Sequence, residues 1–137
     1  MHGFKGERTL MRVHVEEQDK IDGSPVYERI VHLLRDRHLA GATAFRALEG
    51  FGASGHVHQQ STWSVKLDVP VVIECIDTDE KIQSVLPELD RMLGGGIITL
   101  ERVRVILYRQ GLPAEERDDR ASMEVTGRWQ PDDGADR

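Results

Sequence analysis

The sequence predicts an α+β fold in which a four-stranded antiparallel sheet carries two helices on one of its faces. Two segments, Thr9–Val15 and Val69–Ile76, have the alternation or the β-branched composition that is typical of strands. Two other segments carry apolar residues at helical spacing and end at glycines. With the weaker strands placed between and after them, the element order is βαββαβ, which is that of a ferredoxin-like domain.

The first half of the chain supplies a strand, a helix and a second strand. Ser24 is expected to cap the helix, Pro25 to open it and Gly41 to end it. Residues 42–49 suit the second strand, and residues 51–66, rich in Gly, Ser, Gln and His, suit a long mobile loop. The apolar residues of the first strand and helix are Met11, Val13, Val15, Tyr27, Ile30, Val31 and Leu34.

The second half repeats the strand, helix, strand order. Val69–Ile76 is the most hydrophobic strand, and a helical stripe follows it. Pro87 lies inside that stripe, removes one backbone hydrogen bond and is expected to kink or divide the helix. Gly94–Gly96 end the helix, and Ile97–Tyr108 form the last strand, apolar at alternate positions. The stripe consists of Ile82, Val85, Leu86, Leu89, Met92 and Leu93.

The composition limits the classes of function. A chain of 137 residues with 39% hydrophobic residues can bury one core. Its 18 Lys and Arg against 24 Asp and Glu give a net charge of -6, which counts against a nucleic-acid partner. The chain has no apolar run of membrane-spanning length, no apolar signal core and a single cysteine, Cys75, expected to be an inert core thiol. We therefore expect a cytoplasmic protein.

The charge and apolar patterning change after Tyr108. Residues 109–137 contain eight acidic and five basic residues and two prolines, without amphipathic periodicity. Such a segment buries too little apolar surface to offset its ordering entropy. We expect one folded domain over residues 1–108 and a flexible acidic tail over residues 109–137, in which Met123, Val125 and Trp129 would suit a short docking strand.

The face of the sheet away from the helices is expected to be half polar and half apolar. Such a face can be solvated, or it can be the interface of an oligomer, which we favour. Arg102 and Arg104 alternate on the last strand and have two interpretations: pairing with Glu74 on another strand, or contact with a bound phosphate across a subunit boundary. The residues assigned to this face are Leu10, Arg12, His14, Arg46, Glu74, Arg104 and Ile106.

Two glycine segments, Gly50–Gly52 and Gly94–Gly96, are candidates for anion binding, since glycine lets a ligand approach the backbone. His56 and His58 lie two residues apart, so both imidazoles could meet one metal ion in an extended segment. They are two ligands where zinc sites use three or four, and exposed loop histidines are the simpler interpretation. His58 could instead contact a ligand phosphate. No base beside a nucleophile is visible, so we expect no enzyme.

Two strings carry a family resemblance: LAGATAFRALEGFG, and LDVPVVIECIDTDEKIQSVLPELDRMLGGGIITLERVRVI after the HxH loop. They closely resemble the DUF190 family of the PII-like signalling superfamily. The resemblance implies a ferredoxin-like homotrimer whose clefts between subunits bind adenine nucleotides or related effectors. It also implies that residues 51–66 form the T-loop, which contacts a target protein such as a membrane transporter. Members are sensors rather than catalysts, and no cofactor is required.

The resemblance also implies roles for particular residues. Thr43 would line the base pocket, and Gly50, Phe51 and Gly52 would approach the phosphates. Gly94, Gly95 and Gly96 match the B-loop, and Arg102 and Arg104 are looser candidates for a phosphate contact. Ala53-Ser54-Gly55 and Ile97-Ile98 replace the cations and amide of classical PII proteins, which weakens the case for ATP. The alternative function is metal binding by His56 and His58, as in CutA proteins of the same architecture.

Overall fold

The computed structural model describes residues 6–51, 58–59, 69–109 and 111. Among these, Gly6–Val105 form one compact unit. The strands are β1 (Gly6–Glu16), β2 (Lys20–Ile21), β3 (Ser24–Pro25), β4 (Thr43–Arg46), β5 (Glu49–Gly50), β6 (His58–Gln59), β7 (Pro70–Asp77) and β8 (Ile97–Val105). The helices are α1 (Val26–Asp36) and α2 (Asp79–Met92).

The main sheet has the strand order β4-β7-β1-β8, and all of its pairs are antiparallel. β1 lies at the centre, with Arg12 opposite Glu74 of β7 on one side and Thr99 of β8 on the other. The two short pairs, β2 with β3 and β5 with β6, lie outside this sheet. The predicted ferredoxin-like α+β fold is confirmed.

The core lies between one face of the sheet and the two helices. Alternate residues of β1 and β7 are buried there, and both helices cover them with apolar stripes. Burial of each such side chain contributes about 1.5–3 kcal/mol relative to exposure. The fully buried residues include Met11, Val13, Ile30, Leu34, Ile73, Ile82, Val85 and Leu89. None of the helices in the described ranges is long and apolar enough to cross a membrane.

The starts of the two helices differ from each other. The expected Ser24 cap of α1 is wrong: Pro25 precedes the helix, no side chain caps it, and Ser24 pairs instead with Ile21. Asp22 and Gly23, with φ of 50° and 80°, make the tight turn of that hairpin. In α2 the Thr78 hydroxyl accepts the Lys81 N–H at 3.3 Å, as a cap should.

Pro87 does not divide α2, which is one helix of 14 residues. Proline removes only the hydrogen bond to the carbonyl of Gln83, and both residues are exposed, so water can hydrate that carbonyl. Ile82, Val85 and Leu89 pack into the core on both sides of the proline and hold the helix together.

The register corrects the predicted face of β8. Leu100 lies opposite Met11, and Arg102 opposite buried Thr9, so Arg102 and Arg104 are on the helix-bearing side. Placing Arg104 on the open face was wrong, because a shift of one residue moves every side chain of a strand to the other face. Arg46, which lies opposite Val71, is likewise on the helix-bearing side. β8 ends at Val105, so Ile106 is not part of the sheet.

Candidate functional site

An ion triad occupies the centre of the open face. Arg12 donates to Glu74 at 2.9 Å and to Glu101 at 2.9 Å. The hydrogen bond to Glu74 and then that to Glu101 raise the pKa of Arg12 above its usual range. Because Glu74 pairs with Arg12, on the face opposite to Arg102 and Arg104, the first of the two interpretations of those arginines, pairing with Glu74, is wrong.

Apolar side chains surround the triad on the same face. Three of them are substantially exposed: Phe45 at 44%, Ile76 at 38% and Ile97 at 55%. Leu10 lies among them and is buried although no helix covers this side. A sheet face with these large exposed apolar groups is typical of an interaction surface.

The first glycine segment begins at one end of the sheet. Gly50 pairs with His58 across β5 and β6, and a Cβ on Gly50 would come within 2.8 Å of Pro70 Cγ. The Ala47 N–H donates to the Pro70 carbonyl at 2.8 Å and fixes the chain between β4 and β5 to β7. Phe51, the next residue, is 70% exposed. Close packing against Pro70 therefore explains glycine at position 50, and the chain is held to β7 just before this segment.

In the second glycine segment, the backbone requires glycine at one position, Gly96, and not at the other two. Gly96 has φ of 118°, and a Cβ there would overlap the His14 carbonyl oxygen, so the turn into β8 requires glycine. Gly94 and Gly95 have no positive φ, and a Cβ on either would meet nothing within 4 Å among the described residues. Neither the backbone conformation nor a steric contact among the described residues requires glycine at these two positions.

Both glycine segments lie at the same end of the sheet but at opposite edges. Glu16 is opposite Pro70, which Gly50 contacts, and His14 is opposite Ile97, which follows Gly96. β7 and β1 separate the two edge strands β4 and β8. One chain therefore does not bring the two glycine segments into one cleft.

The remaining predicted binding residues lie elsewhere on the sheet. Thr43 is on the open face, opposite Glu74. Arg102 is six residues along β8 from Gly96, which is about 20 Å at the usual rise of a strand. Arg102 borders an open cavity of about 320 Å³ beside the start of α2, where Thr9 donates to Asp79 at 3.1 Å.

Asp77 has a structural part that the sequence pattern does not reveal. It is 3% exposed and accepts the Ala40 N–H at 2.8 Å and the Thr78 N–H at 2.7 Å. Lys81 Nζ donates to the His38 carbonyl at 2.7 Å. These contacts fix the turn between α1 and β4, just before Thr43. The acidic string DTDE gave no signal that would separate a tether from a cap.

Some predicted residues lie outside what the structure describes. Gly52 and His56 are not among the described residues, and only the backbone of His58 is described. Within residues 6–51 and 69–109, no group of three His, Cys, Asp or Glu side chains is placed to hold a metal ion. Metal binding by the histidines stays a prediction. Burial, with a smaller contribution from Asp77, raises the pKa of the Cys75 thiol to about 12, so that thiol is unreactive at neutral pH.

The geometry so far defines a ferredoxin-like domain with an open, partly apolar sheet face and glycine segments at both edges. Comparison with known proteins identifies the family. Residues 8–105 match the model of DUF190, described as Uncharacterized ACR, and the chain belongs to that family. It is 35% identical over 100 residues to a UPF0166 protein of Aquifex aeolicus, covering 73% of this chain and 94% of that protein. A UPF0166 protein of Methanocaldococcus jannaschii is 30% identical over 92 residues, covering 66% and 84%.

Two solved structures of a PII-like protein have a similar fold. The structure of CPII, a nitrogen regulatory PII-like protein from Thiomonas intermedia, bound to ADP, AMP and bicarbonate, has a TM-score of 0.58 with this chain. The two are 16% identical, and the match covers 74% of this chain and 91% of that one. A second structure of CPII, bound to ADP and bicarbonate, has a TM-score of 0.55 at 15% identity, with the same coverage. At this identity the likeness shows the fold.

Proposed function

We propose that this protein is a PII-like regulatory homotrimer that binds an adenine nucleotide in the clefts between its subunits. Residues 51–66 would be presented to a target protein, such as a membrane transporter, from the cytoplasm. The observation that carries the proposal is the pair Gly94 and Gly95, whose lack of side chains the fold does not require. The nucleotides bound by CPII, ADP and AMP, are the first candidates for the effector.

The need for more than one subunit follows from the position of the glycines. Gly50 is at the β4 edge, and Gly94–Gly96 lead into the β8 edge, so a site that uses both needs a second copy of the chain. The open sheet face offers the surface on which copies would meet, because it exposes Phe45, Ile76 and Ile97. In a closed ring of three, each β4 edge would come near the β8 edge of a neighbour.

The expected roles of the binding residues follow this arrangement. The backbone N–H groups of Gly50–Gly52 and Gly94–Gly96 would bind the phosphates from two subunits. Thr43 would line the base pocket and His58 would donate to a phosphate, whereas Arg102, about 20 Å along β8 from Gly96, and Arg104 beyond it lie too far away to contact a phosphate bound by these glycines. Ordering of the loop by the ligand would then change what a target protein meets. The proposed domain comprises residues 1–108, and the tail 109–137 is not needed for the site.

Calorimetric titration with ADP, AMP, ATP and cyclic di-AMP tests the proposal on protein whose oligomeric mass has been measured. We expect a trimer that binds ADP or AMP near one equivalent per subunit, without hydrolysis of the nucleotide. Gly52→Val should abolish binding and leave the trimer intact. The absence of heat with every nucleotide, together with an unchanged melting temperature, would contradict the proposal.

A further inference from the structure

Arg46 and Glu17 form an ion pair at the base of the loop. Arg46 Nη2 contacts Glu17 Oε1, and these residues are the last of β4 and the residue after β1. The Glu17 N–H donates to the Val69 carbonyl at 2.9 Å, next to the proline on which Gly50 packs. The pair therefore lies where β1, β4 and β7 meet the first glycine segment.

The two partners of this pair have unequal surroundings. The Glu17 side chain is 10% exposed, and its Oε2 is buried without a hydrogen-bond partner in the part of the chain that the structure describes. The Arg46 side chain is 51% exposed. When a nearly buried carboxylate accepts a hydrogen bond through only one of its oxygens, the stability of its charge depends strongly on the neighbouring cation. The guanidinium has five N–H donors and keeps part of them open to an arriving anion.

We propose that Arg46 is a phosphate-binding residue of the effector site, and that Glu17 holds it until an anionic effector arrives. This inference rests on the proposed binding of a nucleotide at Gly50–Gly52. The planar guanidinium matches a phosphate in two parallel hydrogen bonds, and Arg46 is four residues before Gly50. It would supply the positive charge that Ala53-Ser54-Gly55 does not.

The exchange of partners by Arg46, from Glu17 to the effector, also explains how effector binding would affect the loop. When Arg46 turns to the effector, the carboxylate of Glu17 loses its cation and must turn toward water. That movement occurs beside Val69 and Pro70, which carry the backbone hydrogen bonds that fix this end of the sheet. Glu17 thus opposes binding, and the affinity for an anion is the outcome of a competition for one arginine.

A double-mutant cycle with ADP tests this competition. Arg46→Met should weaken ADP binding by about tenfold or more, the loss expected for a hydrogen bond to a charged group. Glu17→Gln should strengthen it by about two- to fivefold, because Arg46 is then free. The double variant should bind like Arg46→Met, since Glu17 acts only through Arg46. Lys20→Met, which removes a cation from the neighbouring β2, should leave the affinity unchanged.

A parallel titration with inorganic pyrophosphate distinguishes failure of this inference from failure of the proposed function. The role of the pair is refuted, while nucleotide binding stands, if the wild type binds ADP and both single variants have wild-type affinity. It is also refuted if both single variants bind ADP more weakly than the wild type. If Glu17→Gln still strengthens binding in the Arg46→Met background, a through-space effect of its charge replaces the competition. If ADP does not bind, pyrophosphate affinity that moves in opposite directions in the two variants supports the pair without a nucleotide. If neither ADP nor pyrophosphate binds to the wild type, both proposals are refuted.

Discussion

Substitution of Gly96 should destabilise the domain far more than substitution of its neighbour Gly94. At φ of 118° a residue with a side chain is strained, at about 1–3 kcal/mol. The added Cβ would overlap the His14 carbonyl oxygen and lie 3.4 Å from its carbon, which are backbone atoms of the central strand. Overpacking of this kind costs about 1–3 kcal/mol, so Gly96→Ala should lower the free energy of unfolding by about 2–6 kcal/mol.

Thermal denaturation followed by circular dichroism measures this difference. For a domain of about 100 residues, the expected loss lowers the Tm by about 10 °C or more. Gly94→Ala is the matched control, because its Cβ would meet nothing among the described residues and its φ is not positive. Its free energy of unfolding should stay within about 0.5 kcal/mol of the wild type. If Gly96→Ala melts no earlier than Gly94→Ala, the division of this segment into one structural and two other glycines is refuted.

Three further substitutions or reactions test individual contacts. Gly50→Ala should lower the Tm, since its Cβ would approach Pro70 Cγ to 2.8 Å, and Pro70→Ala in the same chain should restore it. Asp77→Asn should cost about 1–3 kcal/mol in denaturant unfolding, because an amide can accept only one of the two N–H groups that Asp77 accepts; equal stability would show that the tether is dispensable. Cys75 should resist a disulfide reagent at pH 8 in the folded protein and react on unfolding, since its pKa is about 12; rapid labelling of folded protein would contradict the burial.

The main elements were predictable because each strong segment has one clear period. The alternation of β1, the β-branched β7 and the stripes of both helices all point to one core. The face of β8 was not predictable in this way. β8 is an edge strand whose helix-bearing side is poorly covered, so Arg102 and exposed Leu100 lie on the side that faces the core while valines lie on the open face. Apolar alternation there reflects the open surface rather than the core.

Only the glycine segments of the candidate site were predictable from the sequence. The strings around Gly50 and Gly96 indicated backbone positions with special demands, and the structure gives the steric reason for both. Sequence spacing could not show that Arg46 pairs with Glu17, because these residues are 29 positions apart and meet only when β4 and β1 both pair with β7. It also could not separate Gly94 and Gly95 from Gly96, since the difference lies in φ and in the approach of another strand.

Mixed oligomers of two binding-deficient variants test whether two subunits share one nucleotide site. Gly52→Val and Gly95→Val should each abolish ADP binding as pure oligomers, because each removes one half of every cleft. Trimers that contain both variants should recover binding in about one cleft in three, where the intact halves of two chains meet. Recovery of calorimetric binding in the mixed oligomer would establish the shared cleft. If the wild type binds ADP and the mixed oligomer never does, the two glycine segments do not act together across subunits.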